Sequence, residues 1–418
     1  MKEENKHDYN AEALVLHAEH HGKIGLANKV PLATRGDLAR AYTPGVAAVC
    51  LAIANASKNE LNGSLPCGEG GREARIESQR LAAREYTLKR NTVAIVSDGS
   101  AVLGLGNIGP YGAIPVMEGK AAILKEFAGV DAFPICLDTE DTEEIIKAVK
   151  QIAPVFGAIN LEDIAAPRCF EIEERLRAEL NIPVMHDDQW GTATVVLAGL
   201  INAIKLRNIE KEKSKQNPDN LSEIKIIING VGSAGVAVAR LLMAYGFTYI
   251  LFVDSKGLIH IDRIDLTKEK IELLGKSKAV SFVGNLQDAM RSRDVLIGLS
   301  KPGTVTADMV RSMNERPIIF SLANPVPEIM PEEAYAAGAF IMATGRSDYP
   351  NQLNNSLIFP GLFKGMLEHD VRQFSMDIYM RAALALAEYV QSPTVDAILP
   401  SMFDGGLVNI ISESVIKK

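Results

Sequence analysis

The sequence predicts an α/β protein in which a Rossmann-type, doubly wound parallel sheet accompanies a second α/β domain. Three observations predict this class: a βαβ unit in mid-chain, a glycine-rich strand–turn–helix motif, and alternating strand and helix signals after residue 222. The βαβ unit has apolar strands at 154–160 and 182–185 and a helix at 167–180. Its crossover makes the two strands parallel. The later alternation implies a doubly wound sheet.

Length, composition and charge are typical of a soluble enzyme with more than one domain. The chain has 418 residues, 47% of them hydrophobic and 23% charged, with a net charge of −8. This charge without a basic block argues against nucleic acid as the main partner. Four cysteines without CxxC spacing argue against a thiolate zinc site and fit a reducing cytosol. With no apolar run of membrane-spanning length, we expect a cytoplasmic protein without membrane partners.

Tyr42 is the first candidate residue along the chain. It precedes Thr43-Pro44-Gly45, which predicts an N-cap followed by proline at the first helical position. The positive end of such a helix would stabilise a phenolate. A hydrophobic contact from the same position is the alternative, and spacing alone favours it.

A first glycine pattern, Gly104 to Gly109, matches GxGxxG. Pro110 follows at once and no periodic helix is expected to open there. We therefore interpret it as a tight loop near the substrate, because a lone glycine pattern is a weak signal.

Lys120 lies in a helical stretch, 117–128, on the same stripe as Ile123, Leu124 and Phe127. A lysine on an apolar face loses solvation, so its pKa is expected to fall and it could act as a base. A snorkelling lysine with its ammonium in water is an equally good interpretation of the periodicity.

Two acidic doublets, Glu162-Asp163 and Asp187-Asp188, come just after the two strands of the βαβ unit. The carboxyl ends of parallel strands meet at one sheet edge, so four carboxylates are expected to crowd there and to need a compensating cation. An all-oxygen cluster suits Mg²⁺ or Mn²⁺ better than zinc. Two solvated loop doublets are the alternative.

The second glycine pattern has the full context of a dinucleotide-binding motif. It follows a strand at 224–228, opens a helix at 236–245, and is followed by an acid that ends the next strand. The cofactor-binding residues predicted here are Gly230, Gly232, Ser233, Ala234, Gly235 and Asp254. Asp254 favours NAD because it repels a 2′-phosphate, although Ser255 and Lys256 could soften that repulsion and admit NADP.

Two amide side chains, Asn324 and Asn355, follow later signals in the chain. Asn324 comes after a strand at 318–322, and Asn355 follows a Gly-Arg-Ser-Asp-Tyr-Pro segment. Such amides bind a carboxylate or form only Asx-turns, which are commoner.

Together these motifs resemble the malic enzymes, the NAD(P)-dependent decarboxylating malate dehydrogenases, in their short bacterial-type form. The matching strings run in the family's order over nearly the whole chain. They are 41–46 (AYTPGV), 102–109 (VLGLGNIG), 117–120 (MEGK), 160–164 (NLEDI), 186–189 (HDDQ), 191–193 (GTA) and 345–355.

The resemblance implies a role for each matching residue. Glu162, Asp163 and Asp188 look like metal ligands, and Asp187 like the partner that holds Lys120. Lys120 is similar to the family's general base and Tyr42 to its general acid. The amides that would bind the substrate carboxylate are Asn324, which is also expected at the cofactor, and Asn355.

Three departures from the family pattern stand out. Ser100-Ala101 follows Asp98-Gly99 where some members carry a carboxylate-binding arginine, and Trp190 stands where the short form is expected to have histidine. The segment 55–84 is also longer than expected.

The function that the resemblance implies is metal-dependent oxidative decarboxylation of L-malate to pyruvate and CO₂ with reduction of NAD(P). A malolactic enzyme, which yields lactate, is the nearest alternative. Two further alternatives are a catalytically silent regulator and an amino-acid dehydrogenase. The complete set of lysine, tyrosine and acidic residues argues against the first, and the second leaves the acidic doublets unexplained. We expect a catalytic domain of residues 1–187 and 355–418, a dinucleotide-binding domain of residues 188–354, and a homodimer or higher homo-oligomer.

Overall fold

Two sheets of mainly parallel strands, each covered by helices, form the framework of the chain. The computed structural model describes residues 9–56, 69–102 and 104–416, without the side chains of residues 69 and 70. The predicted α/β class is confirmed.

The described part of the chain begins with four helices. They are Tyr9–His20 (α1), Arg35–Ala41 (α2), Val46–Ala54 (α3) and Glu69–Tyr86 (α4). None of the residues of α1, α2 and α3 is buried. The predicted N-cap at Thr43 is wrong: α3 begins at Val46 with Gly45 as its N-cap, after a cis Thr43–Pro44 bond.

One stretch of the described chain, 35–54, is long and apolar enough to cross a membrane by length and composition alone. The expectation that no run reaches that length is therefore wrong. The signal is weak, because the stretch is two helices interrupted at 42–45 and its first helix carries Arg35, Asp37 and Arg40.

The first sheet contains the predicted βαβ unit. Its strands are Thr92–Ser97 (β1), Asp131–Cys136 (β2), Ala158–Leu161 (β3) and Val184–His186 (β4), in the order β2-β1-β3-β4. Its connecting helices are Gly109–Ala128 (α5), Thr142–Ile152 (α6) and Arg168–Glu179 (α7). β3 and β4 pair in parallel with Leu161 opposite His186, so both strands end at the same edge.

The second sheet has the order expected of a dinucleotide-binding fold. A long helix, Asp187–Lys213 (α8), leads into it. Its strands are Lys225–Asn229 (β5), Tyr249–Asp254 (β6), Gly257–Leu258 (β7), Val295–Gly298 (β8), Ile318–Ser321 (β9) and Ile341–Thr344 (β10), ordered β10-β9-β8-β5-β6-β7. Its helices are Ser233–Tyr245 (α9), Lys268–Lys276 (α10), Leu286–Met290 (α11), Ala307–Arg311 (α12) and Pro331–Ala336 (α13).

Among the alternating signals after residue 222, a short strand is expected near 281–283, and that expectation is wrong. Val280, just before this run, and Val283, at its end, are 86% and 81% exposed, so the run has no core to bury against. The edge beside β6 is taken instead by β7, which pairs antiparallel to it.

Helices predominate after residue 355, which agrees with the mainly helical sequence pattern there. They are Phe359–Glu368 (α14), Met376–Tyr389 (α15) and Leu407–Ser414 (α16). A continuous apolar core joins both sheets to these helices, with Val93, Ile228 and Phe363 among its members. The predicted assignment of 355–418 to the first domain stays a prediction.

Candidate metal and dinucleotide site

The four acidic residues meet at the edge where β3 and β4 end. Glu162 and Asp163 follow β3, while Asp187 and Asp188 form the first turn of α8 directly after β4. Glu162, Asp163 and Asp188 each offer a carboxylate oxygen, and these oxygens lie within 4.8 Å of one another. The structure therefore brings together the three residues expected to bind a metal; we call them the acidic cluster.

Asp163 adopts a backbone conformation that favours this arrangement. Its φ is +54°, in the left-handed region that non-glycine residues adopt at some cost. In this conformation its N–H donates to Asp188 Oδ2 at 2.7 Å. The two doublets are thereby tied to each other by a hydrogen bond as well as by the sheet.

Lys120 reaches the acidic cluster from α5. Its Nζ lies 2.9 Å from Glu162 Oε1 and donates to Asp187 Oδ2. The ammonium also lies 4.5 Å from the centroid of the Phe359 ring, a cation–π contact. The expected contact of Asp187 with Lys120 is present, and the snorkelling alternative does not apply because the ammonium is buried among these groups.

The charges of this site shift one another's protonation equilibria. Burial by itself lowers the pKa of Lys120, but the carboxylates of Asp187, Glu162 and Asp188 outweigh it and raise that pKa above its usual value. The expected fall is therefore wrong for this arrangement. Burial raises the pKa of Glu162 to about 7 and the pKa values of Asp187 and Asp188 to about 6.

The donor set fits a hard divalent cation. The acidic cluster and Asp187 carry four carboxylates against the single ammonium of Lys120, so one more cation would relieve the repulsion that remains. Oxygen ligands of this kind suit Mg²⁺ or Mn²⁺. His186 is fully buried, and burial lowers its pKa to about 3, so its imidazole adds no charge.

The second glycine pattern forms the predicted strand–turn–helix between β5 and α9. Gly230 has φ +107°, and a Cβ there would lie 2.3 Å from the carbonyl oxygen of Leu299. A Cβ on Gly232, by contrast, would meet nothing within 4 Å, which leaves space beside the N-terminus of α9. This turn fits the pyrophosphate of a dinucleotide, bound by the N–H groups around Ser233.

Asp254 ends β6 as predicted, but two cations neutralise it. Arg263 donates to both of its carboxylate oxygens at 2.8 and 3.0 Å, and Lys270 donates at 2.7 Å. Lys256, which the sequence suggested as the softening charge, pairs with Asp265 instead. The dinucleotide motif does not predict that Arg263 and Lys270 pair with Asp254, because they follow it by 9 and 16 residues.

The two amides lie beside glycines that leave them room. A Cβ on Gly345 would lie 2.7 Å from Asn324 Nδ2, and a Cβ on Gly191 would lie 3.0 Å from Asn355 Cβ and 1.9 Å from Asp187 Oδ1. Asn355 is thus adjacent to Asp187, and both amides are half-buried.

The first glycine pattern packs against this part of the molecule. A Cβ on Gly104 would lie 2.1 Å from the carbonyl oxygen of Asn324, so the loop contacts that strand end. The expectation that no helix opens here is wrong, because α5 begins at Gly109 with Pro110 in its first turn, a position where proline is favoured.

Tyr42 is not brought to the acidic cluster by any contact among the described residues. It follows α2, and 67% of its surface is exposed. The segment after α3 falls partly outside the description: residues 57–68 of the unexpectedly long segment 55–84 are not described, and 69–84 belong to α4.

Sequence reasoning missed Glu173, a carboxylate that is only 4% exposed. It accepts hydrogen bonds from the backbone N–H of His186, from Gln189 Nε2 and from Trp190 Nε1. A signal was present: Glu173 lies on the buried stripe of α7, three or four residues from buried Cys169 and Leu176.

The comparisons with known proteins agree over nearly the whole chain. Residues 21–177 match the family model described as malic enzyme, N-terminal domain, and residues 190–415 match malic enzyme, NAD binding domain. The chain belongs to the malic enzyme family. The resemblance inferred from the motifs is confirmed, and so is the Rossmann-type domain.

Relatives of this malic enzyme family member include proteins with different cofactors. The chain is 48% identical over 400 residues to the NAD-dependent malic enzyme of Geobacillus stearothermophilus, covering 95% of this chain and 76% of that protein. It is 44% identical over 409 residues to the bifunctional malic/malolactic enzyme of Bacillus subtilis, covering 97% and 92%. An NADP-dependent malic enzyme of Escherichia coli is 39% identical, covering 95% of this chain and 50% of that protein.

Solved structures of the family have the same fold. The NAD-dependent malic enzyme of Thermotoga maritima superposes with a TM-score of 0.84 at 42% identity, covering 96% of this chain and 98% of that one. The malic enzyme of Entamoeba histolytica gives a TM-score of 0.85 at 37% identity, covering 97% and 80%.

Proposed function

We propose that this protein catalyses the divalent-metal-dependent oxidative decarboxylation of L-malate to pyruvate and CO₂, with reduction of NAD(P). The observation that carries the proposal is the contact of Lys120 with Glu162 of the acidic cluster and with the adjoining carboxylate of Asp187. A base and a cation site at one place are what oxidation of a hydroxyl and loss of CO₂ require. Family membership and the dinucleotide turn between β5 and α9 support the same reaction.

The acidic cluster would hold Mn²⁺ or Mg²⁺ through Glu162, Asp163 and Asp188. When bound, the ion would polarise the C2 oxygen of malate and stabilise the enolate that forms when CO₂ leaves. The half-buried amides of Asn324 and Asn355 would donate to the substrate's carboxylate. Asn324, beside Gly345, would also lie at the cofactor.

Lys120 would accept the proton of the C2 hydroxyl as hydride passes to the nicotinamide. Its pKa is high here because the surrounding carboxylates attract the ammonium. Neutralising those carboxylates removes that attraction, and burial alone would then lower the pKa towards the range of a base. Asp187 would keep the amine directed at the substrate.

Tyr42 would protonate C3 to give pyruvate. This role needs the Tyr42 phenol to lie at the acidic cluster.

The exposure of α1, α2 and α3 supports a homodimer or higher homo-oligomer in which a second copy covers these three helices. Leu14, Leu26 and Leu51 of this region are 75%, 86% and 60% exposed. Light scattering gives the mass in solution, and a monomer at micromolar concentration contradicts the assembly. We also propose that the protein is cytoplasmic.

A second candidate function is malolactic activity, which yields lactate without net release of NADH. The bifunctional malic/malolactic relative from Bacillus subtilis supports this second function, because the aligned region covers 92% of that protein.

The experiment that tests the proposal supplies malate with Mn²⁺ and either NAD or NADP, and scores pyruvate, lactate and reduced cofactor together. Equal amounts of pyruvate and reduced cofactor are expected, with removal of the metal by EDTA abolishing both. Lactate without reduced cofactor would establish the malolactic alternative. Reduction of the cofactor that persists in EDTA would contradict the metal-dependent mechanism.

A further inference from the structure

Glu173 grips the segment that carries Asp187 and Asp188. Its Oε1 accepts from the backbone N–H of His186 at 3.1 Å, and its Oε2 accepts from Gln189 Nε2 at 3.1 Å and from Trp190 Nε1 at 3.0 Å. The three donors come from both sides of the Asp187–Asp188 pair. A single carboxylate on α7 therefore fixes the junction between β4 and α8.

Burial of the Glu173 carboxylate costs free energy, so its presence here needs an explanation. A buried carboxylate loses its hydration, and only donors aimed at it offset that loss. Here two of three donors are side chains, Gln189 and Trp190, at positions where apolar residues would pack without any buried charge. The ring of Trp190 stacks on Tyr379 with centroids 4.8 Å apart, which holds its N–H towards Glu173.

Asp188 is consequently fixed from two directions. The N–H of Asp163 holds its Oδ2 from the side of β3, and Glu173 holds the residues around it from the side of α7. Since Asp188 lies in the first turn of α8, a small rotation of that turn would move its carboxylate out of the acidic cluster.

We propose that Glu173 is a positioning residue that keeps Asp188 in the orientation in which it binds the divalent cation. Glu173 is not itself a ligand of the cation. The inference rests on the proposed function, because it needs the acidic cluster to be a cation site.

The test measures Mn²⁺ binding by isothermal titration calorimetry in the complete protein without substrate. Glu173→Gln keeps the shape of the side chain but puts an amide NH₂ against a donor, so the junction loses at least one hydrogen bond. Loss of a partner that orients a ligand costs roughly 10- to 100-fold in metal affinity. We expect the Kd for Mn²⁺ to rise by about tenfold or more, with the Kd for NAD unchanged.

The matched control is Glu174→Gln. Glu174 is the next residue of the same helix and loses the same charge, but its side chain is 77% exposed. Its Kd for Mn²⁺ should equal that of the parent.

A second variant decides the matter if Glu173→Gln does not fold. Trp190→Phe removes one donor and retains a ring against Tyr379, and a smaller rise in the Mn²⁺ Kd, of about threefold, is expected. Parent-like Mn²⁺ affinity in the folded variants, with only a lower melting temperature, would overturn the proposal and leave Glu173 as a link between α7 and α8. If the parent itself binds no Mn²⁺, the proposed function fails as well.

Discussion

The chemistry of Lys120 is decided by residues that lie far from it in the chain. Periodicity places it on the inward face of α5, and that much could be predicted. The direction in which its pKa shifts could not be predicted, because a helical pattern does not reveal which groups of other elements face the apolar stripe. Asp187, 67 residues away, supplies one of the opposing charges.

Lys120→Ala is expected to lower turnover by about 10²- to 10⁴-fold at saturating metal and malate, the usual loss when a general base is removed. NAD affinity should not change, because the dinucleotide turn belongs to the other sheet. Steady-state rates and an NAD titration measure both quantities. Lys125→Ala is the control: Lys125 lies on the same helix but is exposed and pairs with Asp131. Near-normal turnover in Lys120→Ala would refute the base assignment.

Asp254, the acid expected at the cofactor, shows the same limit. The motif predicted a carboxylate that repels a 2′-phosphate, softened at most by Ser255 and Lys256, whereas Arg263 and Lys270 neutralise it. Those cations would tolerate NADP better than the sequence suggested, since a phosphate beside them gains an attraction.

Lys270→Ala should therefore weaken NADP more than NAD. We expect kcat/KM for NADP to fall by about tenfold and that for NAD to change by less than threefold, a difference typical of one partly buried ion pair. Parallel assays with both cofactors measure the ratio. Lys276→Ala, at the end of the same helix and paired with Glu272, should leave the ratio unchanged. An equal loss with both cofactors would remove Lys270 from cofactor selection.

At the scale of elements, what the sequence predicted well was the edge of the first sheet. Two apolar runs and one helix implied parallel neighbours, and parallel pairing alone brings Glu162 and Asp188 to one edge. The prediction of a strand near 281–283 failed because a short run with two apolar residues does not reveal whether a sheet edge is still open. The start of α3 failed because Thr43 and Gly45 are both acceptable N-caps.

A short 3₁₀ turn, Leu88–Asn91, precedes β1 and buries Lys89. Its ammonium donates to the carbonyl oxygens of Ala153 and Phe156 at 3.1 and 2.6 Å. Burial lowers the pKa of Lys89 from 10.5 to about 8. Below pH 8 both the native and the unfolded state hold this proton, and the native state bears the full cost of the buried charge. Between pH 8 and 10.5 the unfolded state holds more of the proton, so this group makes stability rise with pH.

Lys89→Met has no titrating ammonium at this position and therefore lacks the rise of stability with pH that Lys89 causes. The free energy of unfolding of the parent, relative to this variant, should increase by about 2 kcal/mol between pH 7.5 and 9.5, as a pKa change of this size implies. Urea unfolding of both proteins at the two pH values measures the change. A difference between parent and variant that is the same at both pH values would contradict a depressed pKa for Lys89.

At the scale of the whole molecule, the acidic cluster lies where the first sheet ends and the helix that leads into the second sheet begins. Glu162 and Asp163 follow a strand of the first sheet, while Asp188 begins the helix that leads into the second. A cation bound by all three would stabilise the native chain as a unit, because the unfolded chain has no such site.

Mn²⁺ should accordingly raise the melting temperature of the parent. At a concentration 100 times its Kd the gain in stability is about 2.7 kcal/mol. Asp188→Asn should lose most of that gain, and differential scanning calorimetry with and without Mn²⁺ measures it. Asp138→Asn, an exposed acid after β2, serves as the control. A metal-induced shift that persists in Asp188→Asn would place the ion elsewhere.

The chain has a single tryptophan, and it stands where α7, α8 and α15 meet beside the acidic cluster. Its ultraviolet emission therefore comes from one indole at one known place. Reduced nicotinamide absorbs in the range where an indole emits, so energy transfer from Trp190 would report cofactor arrival without any attached dye. The protein thus carries its own optical probe, a nearly buried indole two residues after Asp188.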